Sequence, residues 1–242
     1  MFQIVLLANS FLRISPFRLI SWWLAAYVVA NIASLLVLSV LGYSGAEDLP
    51  TWVLAVSALT LWVPFMVMLR ALSKRSGSGS VRRDFAISFT ARDLWGIPLG
   101  LLSQLVVVVA VTIPFNWLFP SVFNSENVEK RAKGLFDAAS GGWMVVLVLV
   151  VVFGAPFVEE VIYRGFIQQY LGTSIGKIPA LIVSSLWFAG IHFQVAEFPG
   201  LFAFSIVLGA SFMRTQRLGL AIVTHIAFNA TALAALALTQ YI

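Results

Sequence analysis

Residues 19–46 contain no aspartate, glutamate, lysine or arginine, and a run of that length has few homes in a water-soluble fold. At about 1.5 Å of rise per residue, roughly 20 helical residues cross a hydrocarbon core about 30 Å thick. Comparable runs recur at Thr51–Leu69, at Leu94–Phe119, from Trp143 onward, between Lys177 and Glu197, at Phe198–Met213, and from Leu218 to about Gln240. In lipid every backbone polar group must find its partner within the segment, so each run is read as a helix. That reading holds even for Trp143–Phe153, whose β-branched residues would suggest a strand in a soluble protein. The chain is thus expected to be an all-α, polytopic transmembrane helical bundle of about seven spans. Composition agrees, with 60% hydrophobic and 10% charged residues, far less charge than a soluble surface carries.

The first span, about 19–42, follows Arg13 and Arg18 and is too long for a signal-peptide core. Residues 1–93 divide off as two spans plus a basic loop, 94–142 as a third span with an external mixed-charge loop, and 143–242 as a four-span region. Within the first loop, Ala71–Asp93 holds Lys74, Arg75, Ser-Gly-Ser-Gly-Ser at 76–80, Arg82, Arg83 and Arg92, the composition of a flexible solvated linker. The second loop carries Glu126, Glu129, Lys130, Arg131, Lys133 and Asp137; a short surface helix is expected there, without chemistry. With the N-terminus in the cytoplasm, 12 basic residues (Arg13, Arg18, Arg70, Lys74, Arg75, Arg82, Arg83, Arg92, Arg164, Lys177, Arg214, Arg217) fall inside and 3 (Lys130, Arg131, Lys133) outside. Such asymmetry sets orientation. The net charge of +5 suits anionic lipid better than nucleic acid, which is excluded as a partner. The absence of cysteine removes disulfides, thiolate nucleophiles and Cys-ligated zinc. No internal repeat supports an inverted-repeat transporter.

Polar residues inside the last four spans need a reason. The fourth presents Glu159 and Glu160 after sixteen uncharged residues, then Arg164. Either the span simply ends there, its charges reaching the headgroups, or the pair does chemistry. The only two histidines, His192 and His225, both lie in apolar runs; a lone one would be a satisfied core residue, but two beside two glutamates point to a site. His225 and Asn229, at i and i+4, share a helix face. The same spacing pairs Glu160 with Arg164 and turns Glu159 about 100° away. If the fourth helix continues to Leu171, Glu159 lies about 18 Å from its inner end, His225 about 16 Å in and His192 about 22 Å in. All three then reach similar depth, and Arg164 becomes an intramembrane charge that Glu160 must neutralise.

Three motifs carry a family resemblance: Glu159-Glu160-Val-Ile-Tyr-Arg164, Phe188-Ala-Gly-Ile-His192 and His225-Ile-Ala-Phe-Asn229. In order and spacing they resemble those of the CPBP intramembrane proteases, which include the type II CAAX prenyl endopeptidases and the Abi-type proteins of bacteriocin processing and self-immunity. The resemblance covers about Trp143 to Ala235 and makes 143–242 the catalytic region. It implies peptide-bond hydrolysis within the membrane, on a membrane-associated peptide or protein, with Glu159 as general base, His192 holding the same water, and His225 and Asn229 stabilising the oxyanion. Glu160, Arg164 and Phe188 would support the site. No cofactor is expected. A divalent metal such as zinc is the open alternative, and would take Glu159, His192 and His225; the His-Glu-x-x-His helix of zincins is absent. A non-catalytic scaffold or immunity-type binding protein is the main rival, and a proton-coupled transporter the third reading. Ser184, Ser185 and Ser205 lack a nucleophile elbow and read as helix-packing residues. Gly96 and Gly100 have small-xxx-small spacing, but Pro98 between them makes a poor dimer motif.

Overall fold

The computed structural model describes residues 14–43, 49–139 and 141–239; Arg13 and Gln240 lie outside them. Eight principal helices follow in order: α1 Pro16–Val40, α2 Thr51–Ser76, α3 Ala91–Leu118, α4 Ser125–Asp137, α5 Trp143–Ile175, α6 Lys177–Gly190, α7 Phe198–Thr215 and α8 Gly219–Thr239. No strand occurs among the described residues. Among the described residues six helices are long and apolar enough to cross a membrane, namely α1, α2, α3, α5, α7 and α8. The expected seventh, α6, is apolar but only 14 residues long. This is an integral, multi-pass membrane protein.

Helix α5 is the axis of the bundle, packed by α6, α7 and α8. Its residues Val161–Gln168 are all buried, whereas α1–α3 leave Phe17, Leu35, Val67, Leu105 and Ile113 exposed, the pattern of side chains turned to lipid. α1 lies on α2, and α3 lies along α8 and α7. The α3–α8 contact explains Gly96 and Gly100: a Cβ on Gly96 would lie 2.6 Å from the Thr224 amide nitrogen, and one on Gly100 2.6 Å from Cβ of Ala227. The small-residue spacing therefore serves packing within the chain.

The linker at 77–90 is fastened down, against the expectation of flexibility. α2 runs on to Ser76, and the next turn wraps around a buried Asp84 carboxylate that accepts from Ser73 Oγ (2.6 Å) and from the Ser78 amide (3.0 Å). Tyr170 Oη and Gln169 Nε2 donate to the Asp84 carbonyl at 2.6 and 2.9 Å, tying this turn to α5. Beyond it, Leu218 N donates to Ala86 O and Gly219 N to Ser88 O, so the start of α8 hangs on the same segment. Arg217 pairs with the buried Asp93. Serine and glycine suggested a free linker, but one buried carboxylate with several donors overrides composition. The mixed-charge loop does form a helix, α4, whose Val128, Ala132 and Leu135 face a cleft between the spans.

Candidate functional site

The cleft has a volume of about 380 Å³ and is walled by residues of α3, α4, α5, α6, α7 and α8 and of the turn after α6. Glu159, His192, His225 and Asn229 all line it, with Phe188, Phe204 and Phe228 among its apolar walls. The structure thus gathers into one cavity residues from three separate sequence motifs.

The floor of the site is a buried ionic network. Glu160, fully buried, accepts at Oε1 from Arg164 Nη1 (2.8 Å) and from His225 Nδ1 (2.8 Å). The i,i+4 geometry delivers the first contact and the α5–α8 packing the second. Arg164 Nη2 continues to Ser205 on α7, donating to its Oγ at 2.6 Å and its carbonyl at 3.2 Å. One guanidinium, stacked 4.7 Å above the Phe188 ring, therefore links α5, α6 and α7, while its carboxylate partner links α8. Charges this deep persist only when paired in this way.

His225 is held from several sides. Because a carboxylate only accepts, Nδ1 carries the proton donated to Glu160. Nε2 is thereby aimed at Glu159, whose Oε2 lies 3.8 Å away. The edges of Phe204 and Phe188 meet its ring at centroid distances of 5.2 and 5.9 Å, and Phe204 stacks on Phe228 at 3.6 Å. Glu159 is turned away from Glu160, as the helical offset requires, and retains 27% side-chain exposure.

His192 sits differently from expectation. α6 ends at Gly190, and His192 lies in the turn beyond it, not inside a spanning helix. Its Nδ1 is 2.7 Å from the Phe188 carbonyl; since a carbonyl only accepts, Nδ1 donates and Nε2 keeps its lone pair. The helix end thus supplies an orphan carbonyl that fixes the tautomer.

Asn229 Nδ2 donates to Val151 O at 2.8 Å, and the local backbone explains why that oxygen is available. Over Val148–Gly154 the helix widens to i→i+5 spacing, with Ala155 N donating to Val150 O. In that register the next donor would serve Val151, but residue 156 is proline and has no N–H. The vacated carbonyl takes one amide proton of Asn229 and leaves the second for the cleft.

Sequence reasoning did not find four contributors. Ser205 is an anchor for Arg164, not merely a packing serine, but it lies 41 residues away in an apolar run with no spacing to mark it. Phe204 and Phe228 look like any core aromatics, and the Val151 carbonyl has no side-chain signature. Only Pro156, a proline inside a span, hints at the last. No three His, Cys, Asp or Glu side chains gather as a metal-ligand set among the described residues; the groups of the expected set that face the cleft are Glu159, His192 and Nε2 of His225, whose Nδ1 bonds Glu160.

Comparison with known families bears on the same segment. Residues 141–231 match the family model described as type II CAAX prenyl endopeptidase, Rce1-like. This part of the chain is similar to the Rce1-like family. The Rce1-like segment starts just before α5 and ends within α8, so Glu159, Glu160, Arg164, Phe188, His192, His225 and Asn229 all fall inside it. The match supports a relationship to the CPBP/CAAX protease family; α1, α2, α3 and α4 lie outside it. No curated protein and no solved structure matches the chain.

Proposed function

We propose that the protein is an intramembrane endopeptidase that hydrolyses a peptide bond of a membrane-associated peptide or protein with a water molecule activated by Glu159 and His192. The observation that carries this reading is the convergence of Glu159, His192, His225 and Asn229 on one cleft among membrane-spanning helices. Glu159, partly exposed and not consumed by an ion pair at hydrogen-bond distance, takes a proton from the water as it attacks the scissile carbonyl. His192 Nε2 accepts the second water hydrogen and orients the nucleophile. The oxyanion that forms meets the second amide proton of Asn229 and, with His225 carrying a proton on each ring nitrogen, its Nε2–H, while Nδ1–H stays on Glu160, which holds the ring oriented and balances its charge. The proton held by Glu159 then passes to the departing amine, and no covalent intermediate is needed. The rigid network beneath fits this chemistry, because preorganised donors stabilise developing charge best where water is scarce. The basic end of the bundle, with Lys74, Arg75, Arg82, Arg83 and Lys177, faces the cytoplasm in this reading.

The test is cleavage of a library of membrane-anchored reporters by purified protein. Wild type should cut, and Glu159→Gln and His192→Ala should each lose about 10²–10⁴-fold in rate, the usual worth of a positioned acid–base group. Glu159→Gln should leave thermal stability nearly unchanged, since that side chain has no closer polar contact than 3.8 Å. Rates unaffected by strong chelator would support water held by protein groups alone, and loss with chelator would assign a metal. Binding without cutting that the same substitutions abolish would point to a scaffold.

A further inference from the structure

The wall that α3 gives the cleft carries a polar group that the proposed reaction leaves unused. Gln104, Val108 and Thr112 line the cleft four residues apart, so one face of α3 looks into it. Thr112 donates its hydroxyl proton to the Val108 carbonyl at 2.8 Å. Gln104 makes no such local bond: its Oε1 is buried and, among the described residues, has no hydrogen-bond partner. An unpaired carbonyl within a membrane span is unfavourable, and a carboxamide that nothing holds can turn about its own side-chain bonds toward the cleft. Its partner has to come from outside the chain.

The register of α3 on α8 sets the depth of this group. A Cβ on Gly96 would meet the Leu220 carbonyl, Val223 and the Thr224 nitrogen, and one on Gly100 would meet the Thr224 carbonyl, Ala227 and the Phe228 nitrogen. Each turn of α3 therefore advances about one turn along α8, and the next turn brings Gln104 level with Asn229. A peptide that crosses the membrane arrives as a helix with its backbone groups paired internally. To be cut it must open around the scissile bond, and the opened residues then carry N–H groups without acceptors in a largely apolar cleft. We propose that Gln104 is a substrate-binding residue, whose Oε1 accepts a backbone N–H of the opened segment next to the scissile bond while Asn229 and His225 receive the oxyanion. This deepens the protease reading and rests on it. Gln104 lies outside residues 141–231, the segment similar to the Rce1-like family, so the spans before that segment contribute to the substrate site.

The full-length protein in detergent, with a membrane-anchored reporter peptide that wild type cuts, tests it. Gln104→Met, close in length but apolar, should raise KM by about three- to tenfold, the worth of one neutral hydrogen bond, and should raise the Kd of the uncut reporter equally in the Glu159→Gln background. Its thermal midpoint should hold or rise, because the orphan carbonyl is gone. Thr112→Val, on the same face of α3, should stay within about twofold of wild type, since its hydroxyl proton is already engaged. Reporters carrying a backbone ester in place of one amide each lack a single N–H; at one position near the cut the ester should weaken binding to wild type by about three- to tenfold and leave Gln104→Met unaffected. Unchanged KM in Gln104→Met, ester penalties that are the same in wild type and Gln104→Met at every position, or a lowered thermal midpoint with kcat falling alone would overturn the proposal, while cleavage by wild type leaves the protease reading standing. If wild type neither cuts nor binds any reporter of the library, both fall together.

Discussion

Removing Arg164 should cost far more than its one ion pair is worth, and removing its partner as well should restore most of the loss. Arg164 is about 1% exposed, bonds Glu160 at 2.8 Å and Ser205 at 2.6 and 3.2 Å, and stacks on Phe188. Arg164→Met leaves the Glu160 carboxylate, fully buried, with His225 as its remaining partner. Breaking one side of a buried pair costs about 3–5 kcal/mol, and Glu160→Leu, which strands the guanidinium on Ser205, should cost a similar amount. If the effects added, the double variant would lose about 6–10 kcal/mol, enough to unfold most proteins. It should instead lose about 1–3 kcal/mol, because no charge is left uncompensated and the chief defect is a His225 Nδ1 proton without an acceptor. Thermal unfolding in detergent measures this: each single variant should drop the midpoint by on the order of 10 °C and the double variant by a few degrees. The double variant should still fail to cleave, since His225 is no longer oriented. Additive losses, or a loss under about 1 kcal/mol for Arg164→Met, would refute the idea that this network is a desolvated unit joining α5, α7 and α8.

Two further outcomes follow from the packing. Gly100→Ala should destabilise by about 1–3 kcal/mol because the new Cβ meets Ala227 Cβ at 2.6 Å and the Phe228 nitrogen at 2.8 Å, and it should lower activity through Phe228, whereas Gly134→Ala on α4, with nothing within 4 Å, should be neutral or slightly stabilising by the same thermal assay. Asn229→Ala should reduce cleavage about 10²–10³-fold, the cost of losing one oxyanion donor, and destabilise by about 1–3 kcal/mol, since the Val151 carbonyl has no alternative donor next to Pro156; single-turnover rates and melting midpoints check the two effects separately.

Much of this protein is legible in the one-dimensional chain because lipid is a severe solvent. Span positions follow from where charges are missing, and the Glu160–Arg164 and His225–Asn229 relations follow from the helical period, both local properties of a covalent sequence. The three motifs likewise named Glu159, His192, His225 and Asn229 of the polar residues that line the cleft, but not Gln104, Thr112, Glu129 or Glu197. What the chain alone could not express is anything set by contact between distant segments. The hydrogen bond from Arg164 to Ser205, the edges of Phe204 and Phe188 against His225, and the amide of Asn229 on the Val151 carbonyl each join residues tens of positions apart. Composition misread 77–90 as free linker, because flexibility estimated residue by residue ignores a single buried carboxylate that recruits donors from α2, while the carbonyl of the same residue recruits α5. Hydropathy likewise treated 178–196 as one span, yet α6 stops at Gly190 and leaves His192 on a turn with its tautomer set by the Phe188 carbonyl. Sequence therefore determined which residues enter the membrane and which of them are polar. Tertiary packing decided which atom of each polar group faces the cleft, because a hydrogen-bond donor is aimed only by the partner that occupies its other side.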